Sequence, residues 1–269
     1  MNMVEKILTK NPCYKAGRKI TVKGLMLHSV GCPQPNAMVF VNKWNSASYS
    51  SACVHAFIDG NNGTVYQTLP WNHRGWHAGG SANNTHIGVE MCEPSCIKYT
   101  SGSNFTCTDT ATAKAVAKRT YDAAVELFAM LCTKYNLNPL SDGVIVSHKE
   151  GCARGIASNH GDPEHIWRQL GLQYTMDTFR KAVYVTMQGG VVQPASPAVS
   201  TAEFPETPFT VKVIVNDLNY RAEPSMSAKV KGQTGMGIFT ITDVKDGWGK
   251  LKSGKGWIWL RNSQYCTVC

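Results

Sequence analysis

"GVIVSHKEGCARGIASNHGDPEHIW", residues 143–167, opens as a short β-branched run and ends in a loop crowded with ionisable side chains. Val144, Ile145 and Val146 favour a strand, and the run then presents His148. A second run ends the same way: "GLMLHS", residues 24–29, is apolar until it reaches His28. If these two strands lie in one sheet and point the same way, both imidazoles emerge at one rim. That rim is the carboxyl edge, where open α/β sheets place their ligands.

More of the chain supports such a sheet. "CVHAFID" (53–59), "GTVYQTL" (63–69) and "HIGVEM" (86–91) read as further strands. Residues 109–135 read as a long helix, with Val116, Thr120, Ala123, Leu127 and Leu131 at helical spacing, Thr108 as its cap and Pro139 beyond its end. A second helix is expected near 174–187. The fold class is therefore α/β, a mixed β-sheet covered by helices, over residues 1–187. Residues 188–208, rich in Pro, Gly, Ser, Thr and Ala without a period, read as a flexible linker. Residues 209–269 read as five short strands between Gly-containing turns, a small all-β barrel.

At 43% hydrophobic and 17% charged, the 269-residue chain is too apolar for a disordered protein. No apolar run is long enough to span a bilayer, so no membrane insertion is expected. "MNMVEKILTKNP" lacks the apolar core of a signal peptide, which predicts a protein made in the cytoplasm. The formal charge of +9 suits an anionic partner. Without a Lys/Arg-rich run interleaved with aromatics, nucleic acid is not the expected one. The ten cysteines read as free thiols, several of them small buried hydrophobes, and the terminal "CTVC" lacks two further ligands for structural zinc.

Two imidazoles and one carboxylate are a familiar set for catalytic zinc, with one position left for water. Asp162, 14 residues after His148, is the candidate third ligand. Asp162 also suits the N-cap of a helix begun by Pro163, and His160, Asp162 and His165 form a rival local trio. Glu90 lies in "IGVEM", sharing a strand face with Gly88 and Cys92. An unpaired carboxylate buried there costs several kcal/mol, roughly. A glutamate at a wet sheet edge is the competing reading.

His28 after its strand, "WHAG" (76–79), "IGVEMCEP" (87–94), "SHKEG" (147–151) and "HGDPEHIW" (160–167) together resemble the zinc-dependent N-acetylmuramoyl-L-alanine amidases of the type-2 family, relatives of the peptidoglycan recognition proteins. The likeness covers about residues 15–170 and rests on five motifs in the right order. It implies that His28, His148 and Asp162 bind zinc and that Glu90 is the general base. One branch of the family uses a tyrosine before the histidine of the second strand; here Val54 precedes His55, which favours Glu90. Many relatives carry lysine two residues before the third ligand, where this chain has His160, the expected oxyanion donor. Trp76 and His77 are expected to line the substrate groove, and Asn84, with Asn83, to meet the peptide. His55 is expected to support the sheet, His73, His86 and His165 to have surface or capping roles, and Lys149 and Glu150 to be solvated loop residues.

"LNYRAEPS" (218–225), "DGWGKLK" (246–252) and "GWIWL" (256–260) resemble bacterial SH3 domains, so the barrel is expected to be SH3-like. The pairing resembles phage or prophage endolysins of Gram-positive hosts. It implies a peptidoglycan hydrolase that cuts between N-acetylmuramic acid and L-alanine, held at the Gram-positive cell wall by its C-terminal module and acting after release from the cell. The alternatives are a peptidoglycan-binding protein without activity and a zinc peptidase acting within the stem peptide.

Overall fold

The structure is a computed structural model and describes residues 1–189, 204–216, 218–225, 228–245, 247–260 and 265–269. Most of the expected linker, residues 190–203, lies outside the described residues. The chain divides into two compact units, Met1–Pro194 and Ala195–Cys269.

The first unit begins with β1 (Met3–Glu5), α1 (Pro12–Ala16), β2 (Gly24–Ser29) and α2 (Ala37–Trp44). It continues through β3 (Ala56–Ile58), β4 (Val65–Gln67), a 3-10 turn (Ser81–Asn84), β5 (His86–Met91) and a hairpin of β6 (Ile97–Ser101) and β7 (Asn104–Cys107). Then come α3 (Thr110–Tyr135), β8 (Ile145–Ser147), α4 (His148–Ala153), α5 (Glu164–Gln169) and α6 (Met176–Met187). Six strands form one mixed sheet in the order β1-β4-β3-β5-β2-β8. β2 runs parallel to both β5 and β8, as the shared-rim reading requires.

Strand alternation gives this sheet two unlike faces. Leu25, Leu27, Ile87, Val89 and Met91 point to one core, where α3 and α6 cover them. Tyr121, Phe128, Trp167 and Phe179 interlock there edge to face, with ring centroids 5.1 to 5.5 Å apart. Met26, His28, Gly88 and Glu90 take the alternate positions and face the other way. Beyond them α2 packs on β3 through a second cluster that includes Val41, Val54 and Phe57.

The long helix starts one residue later than expected. Asp109, not Thr108, is its N-cap, and accepts from the Thr112 backbone at 3.0 Å and from its hydroxyl at 2.6 Å. It ends on Asn136, whose left-handed φ of 51° asparagine tolerates well. β1, α1, α2 and the β6–β7 hairpin have no counterpart in the sequence reading. Each is short, and the hairpin strands "IKYTS" and "NFTC" are too polar to carry an apolar period.

Among its described residues the second unit is an all-β sheet of seven strands rather than five: β9 (Phe209–Val213), β10 (Asn219–Arg221), β11 (Val230–Gln233), β12 (Gly237–Lys245), β13 (Trp248–Leu251), β14 (Trp257–Trp259) and β15 (Cys266–Val268). Their order is β11-β10-β14-β13-β12-β9-β15, with neighbours antiparallel. Ile241, Leu251 and Ile258 fill its core. Trp248 is buried and meets Trp259 at 5.3 Å, while Lys250 lies over Trp257. Phe204, placed by the sequence reading in the linker, stacks on Phe209 at 6.0 Å.

Candidate active site

The sheet register builds the site. β2 and β5 pair with His28 opposite Glu90, and β2 and β8 pair with Leu27 opposite Ser147. Ser147 then ends the strand and starts α4. Its hydroxyl accepts from the Glu150 amide, and the Glu150 carboxylate accepts from the Ser147 amide, a reciprocal capping box. His148 is therefore the first residue of a helix, turned toward His28. The two Nδ1 atoms are 3.1 Å apart. Asp162 closes the group, with Oδ2 3.4 Å from His28 Nδ1 and Oδ1 3.6 Å from His148 Nδ1.

Asp162 does not cap the helix that follows, because Pro163 occupies that position in α5. Its Oδ2 accepts instead from the Ser29 amide at 3.3 Å. The local trio does not assemble, since His165 turns away to meet the Tyr99 hydroxyl at 2.6 Å. Among the described residues, His28, His148 and Asp162 are the group able to hold a metal ion, with their ligand atoms within 4.8 Å of one another.

Two imidazole nitrogens and a carboxylate converging in a buried spot repel one another unless a proton or cation lies between them. Ligands about 2.0–2.2 Å from a tetrahedral ion stand roughly 3.3 Å apart, close to the spacing found here. The residues fit zinc. Burial works against the Asp162 carboxylate, yet the neighbouring His28, then His148 and the Ser29 amide, hold its pKa below the usual range. Burial, with His28 beside it, pushes the His148 imidazole down to about 4, so it is a neutral donor of a lone pair.

Glu90 borders this group from β5, a strand enclosed between β3 and β2, which removes the wet-edge reading. One of its oxygens, Oε2, is buried without a hydrogen-bond partner. Burial pushes its pKa up to about 8, with Asp162 and Glu93 adding to the rise and His28 opposing it. The site opens into a cavity of about 1020 Å³ whose walls include His28, Glu90, Tyr99, His148, His160 and Asp162. His160 is exposed there, its Nδ1 3.2 Å from His148 Nε2.

The residues expected to touch substrate divide. His77 borders the cavity, but both its ring nitrogens are engaged: Nδ1 lies 3.0 Å from His28 Nε2, and Nε2 lies 3.1 Å from the His86 carbonyl. Burial, and then His28, push its pKa well below the ordinary value. Trp76 and Asn84 are not among the residues lining the cavity. Trp76 is 45% exposed beneath Arg74, and Asn84 accepts from Arg74 Nε at 2.7 Å. Asn83 is buried and accepts from the amides of His77 and Ala78 at 2.8 and 3.0 Å.

Other histidines also differ from expectation. His165 is buried and lines the cavity rather than capping a surface. His73 is buried against Tyr14, and His86 is buried with Nε2 donating to the Gly143 carbonyl at 3.1 Å. Lys149 and Glu150 lie in α4, not a loop; Lys149 pairs with Glu164 at 3.3 Å, and Glu150 pairs with Arg180 of α6. His55 does support the sheet, accepting from the Gly88 amide at 3.0 Å and donating to the His73 carbonyl at 2.8 Å.

Three participants carry no role in the sequence reading. Glu93 is buried and accepts from the Gly31 amide at 2.9 Å and from the Tyr99 hydroxyl at 2.8 Å. Burial pushes its pKa up to about 7 against those hydrogen bonds. Tyr99 reaches the cavity from the unexpected hairpin. Ser158 stands 3.2 Å from His148 Nε2. Glu93 lies inside the quoted motif and was visible there; Tyr99 and Ser158 carry no signal of their own.

A sheet rim gathers two imidazoles, a carboxylate and a partnerless glutamate oxygen beside a wide cavity, a group able to hold a metal ion. The family described as N-acetylmuramoyl-L-alanine amidase matches residues 17–165, more than half of the chain, and the chain belongs to that family, the peptidoglycan amidases. Among solved structures, the hydrolase AmiA of Staphylococcus aureus in complex with its ligand is 20% identical, with 72% of this chain and 88% of that one covered at a TM-score of 0.53. That likeness shows a shared fold. The catalytic domain of XlyA is also 20% identical, covering 68% of this chain and 99% of that one at a TM-score of 0.47. A mutant endolysin from Bacillus subtilis is 20% identical over 68% and 99% at a TM-score of 0.46. No curated protein matches the chain.

Proposed function

We propose that this protein hydrolyses the amide between the lactyl group of N-acetylmuramic acid and the L-alanine of the stem peptide, with zinc held by His28, His148 and Asp162. The observation that carries this reading is the convergence of those three side chains beside the unpartnered Glu90 oxygen at the floor of the cavity. Zinc, when bound, polarises a scissile carbonyl and brings the pKa of water toward neutrality.

The chain's own residues supply the rest. Glu90 takes the proton of the attacking water at Oε2 and returns it to the leaving nitrogen. A proton affinity near the working pH suits that double duty. His160, exposed beside His148, offers an N–H to the oxyanion that develops on the carbonyl. The wide cavity admits a branched glycopeptide.

The second unit is read as an SH3-like module that holds the enzyme at the Gram-positive wall and raises local substrate concentration. Support comes from a cavity of about 270 Å³ lined by Arg221, Trp248, Trp259 and Tyr265 among others. With a formal charge of +9, the chain also suits an anionic wall polymer. The enzyme is made inside the cell and acts after release, in the manner of a phage or prophage endolysin.

Wall digestion with and without a chelator, followed by mass analysis, tests the reaction. New N-terminal alanine without new reducing ends, lost on chelation, is the expected result. Cuts within the stem peptide mark a peptidase instead, and intact wall with retained binding marks a non-catalytic binder. Zinc per chain in Asp162→Ala tests the ligand set: full retention removes Asp162 from it.

A further inference from the structure

The loop between β4 and the 3-10 turn, residues 76–80, reaches the backs of the two histidines, His77 touching His28 directly and Ala78 meeting Ser158, which stands beside His148. His77 Nε2 faces the His86 carbonyl at 3.1 Å. A carbonyl oxygen only accepts, so that nitrogen carries the ring proton and His77 Nδ1 bears a lone pair. That lone pair lies 3.0 Å from His28 Nε2, which must therefore be the protonated nitrogen of His28. The proton is then missing from His28 Nδ1, the atom that faces His148 and Asp162.

A parallel chain serves His148. The Ser158 hydroxyl donates to the Ala78 carbonyl at 3.2 Å, which leaves its lone pairs for His148 Nε2–H, also at 3.2 Å. His148 Nδ1 is thereby bare as well. The His28 chain ends on the His86 carbonyl, whose acceptor character no side-chain titration changes; the His148 chain is shared with His160, whose Nδ1 lies 3.1 Å from Ser158 Oγ and 3.2 Å from His148 Nε2.

The surroundings hold this loop to its place. Asn83 Oδ1 accepts from the amides of both His77 and Ala78. A Cβ on Gly88 would stand 2.4 Å from His77 Cγ, and one on Gly79 would stand 2.6 Å from Ser158 Oγ. Glycine at 88 and 79 leaves the space that the two chains occupy.

We propose that His77, with Ser158 in support, is a positioning residue that fixes the tautomers of His28 and His148 so that both present an unprotonated Nδ1 to the metal. This rests on the reading of His28, His148 and Asp162 as the zinc ligands. Outer partners of ligating histidines typically govern ten- to a hundredfold in metal affinity.

Two measurements on the full chain test it. Long-range proton–nitrogen NMR of the metal-free protein at pH 8 reads the tautomers directly: Nε2-protonated rings at His28, His77 and His148 are expected. A proton on His28 Nδ1 overturns the proposal, whether or not zinc binds. Zinc titration by competition with a chromophoric chelator gives the second readout. His77→Phe removes the acceptor and is expected to weaken zinc roughly ten- to a hundredfold. His77→Gln, whose amide oxygen can take the His28 proton and whose amide NH₂ can reach the His86 carbonyl, is expected to recover most of that loss. Equal affinity in wild type and His77→Phe overturns the positioning role while leaving the ligand set intact. Wild type that binds no zinc, with tautomers as expected, sinks the metal reading alone.

Discussion

An ionisable oxygen with no partner inside a sheet is costly, and Glu90 carries one near the end of β5. Its usefulness has to lie in the chemistry. Glu90→Gln is expected to retain zinc and to lose on the order of 10²–10⁴ in turnover, measured as amide cleavage on a soluble muramyl peptide. Normal turnover removes Glu90 from the mechanism. His55 gives a prediction about stability. Burial pushes its pKa down from 6.5 to about 4, and its two nitrogens are committed to the His73 carbonyl and the Gly88 amide. The unfolded chain binds a proton there near pH 6.5 and the folded chain does not. Its contribution is therefore intact above pH 6.5 and is lost as pH falls toward 4, up to about 3 kcal/mol. Urea midpoints of the metal-free protein across that window are expected to fall less steeply in His55→Gln. At this scale the group of His28, His148 and Asp162 was legible because two apolar runs each lead into a histidine and the motifs fix their order. Ser158 and Tyr99 were not, because their partners lie up to 80 residues away, at Ala78 and His165, and only the fold joins them.

Of the elements that the sequence reading missed, the β6–β7 hairpin lines the site. It sends Tyr99 to Glu93 and His165, and Gln169 of α5 accepts from the Phe105 amide at 3.0 Å while donating to the Ser103 carbonyl at 2.7 Å. Hairpin and helix are thus bonded at three points beside the cavity. Tyr99→Phe leaves the buried Glu93 with one donor fewer and is expected to destabilise the protein by about 1–3 kcal/mol in thermal or urea unfolding. An unchanged midpoint shows that water replaces the hydroxyl. The long helix and the central strands were legible from periodicity. Short pieces were not: α4 has six residues and depends on the Ser147–Glu150 box and on Arg180, 30 residues away. Its start also shows why His148 was expected at a strand end, since Ser147 stops the strand and caps the helix in one step.

At the scale of the whole molecule, the two units have separate cores, and the proposed division of labour follows them. Residues 1–189 alone are expected to keep turnover on a soluble muramyl peptide and to lose retention on isolated Gram-positive walls, read by sedimentation with the walls. Equal retention assigns wall binding to the first unit. The unlike faces of the central sheet carry one more consequence. Slipping β2 by a single residue against its neighbours would swing Leu27 into the solvent-filled hollow and drive His28 beneath the long helix, stranding an imidazole in hydrocarbon. The same oily contacts that make the sheet fold therefore act as a ruler for the chemistry, and a misaligned chain forfeits its stability before it can miswire its reactive groups.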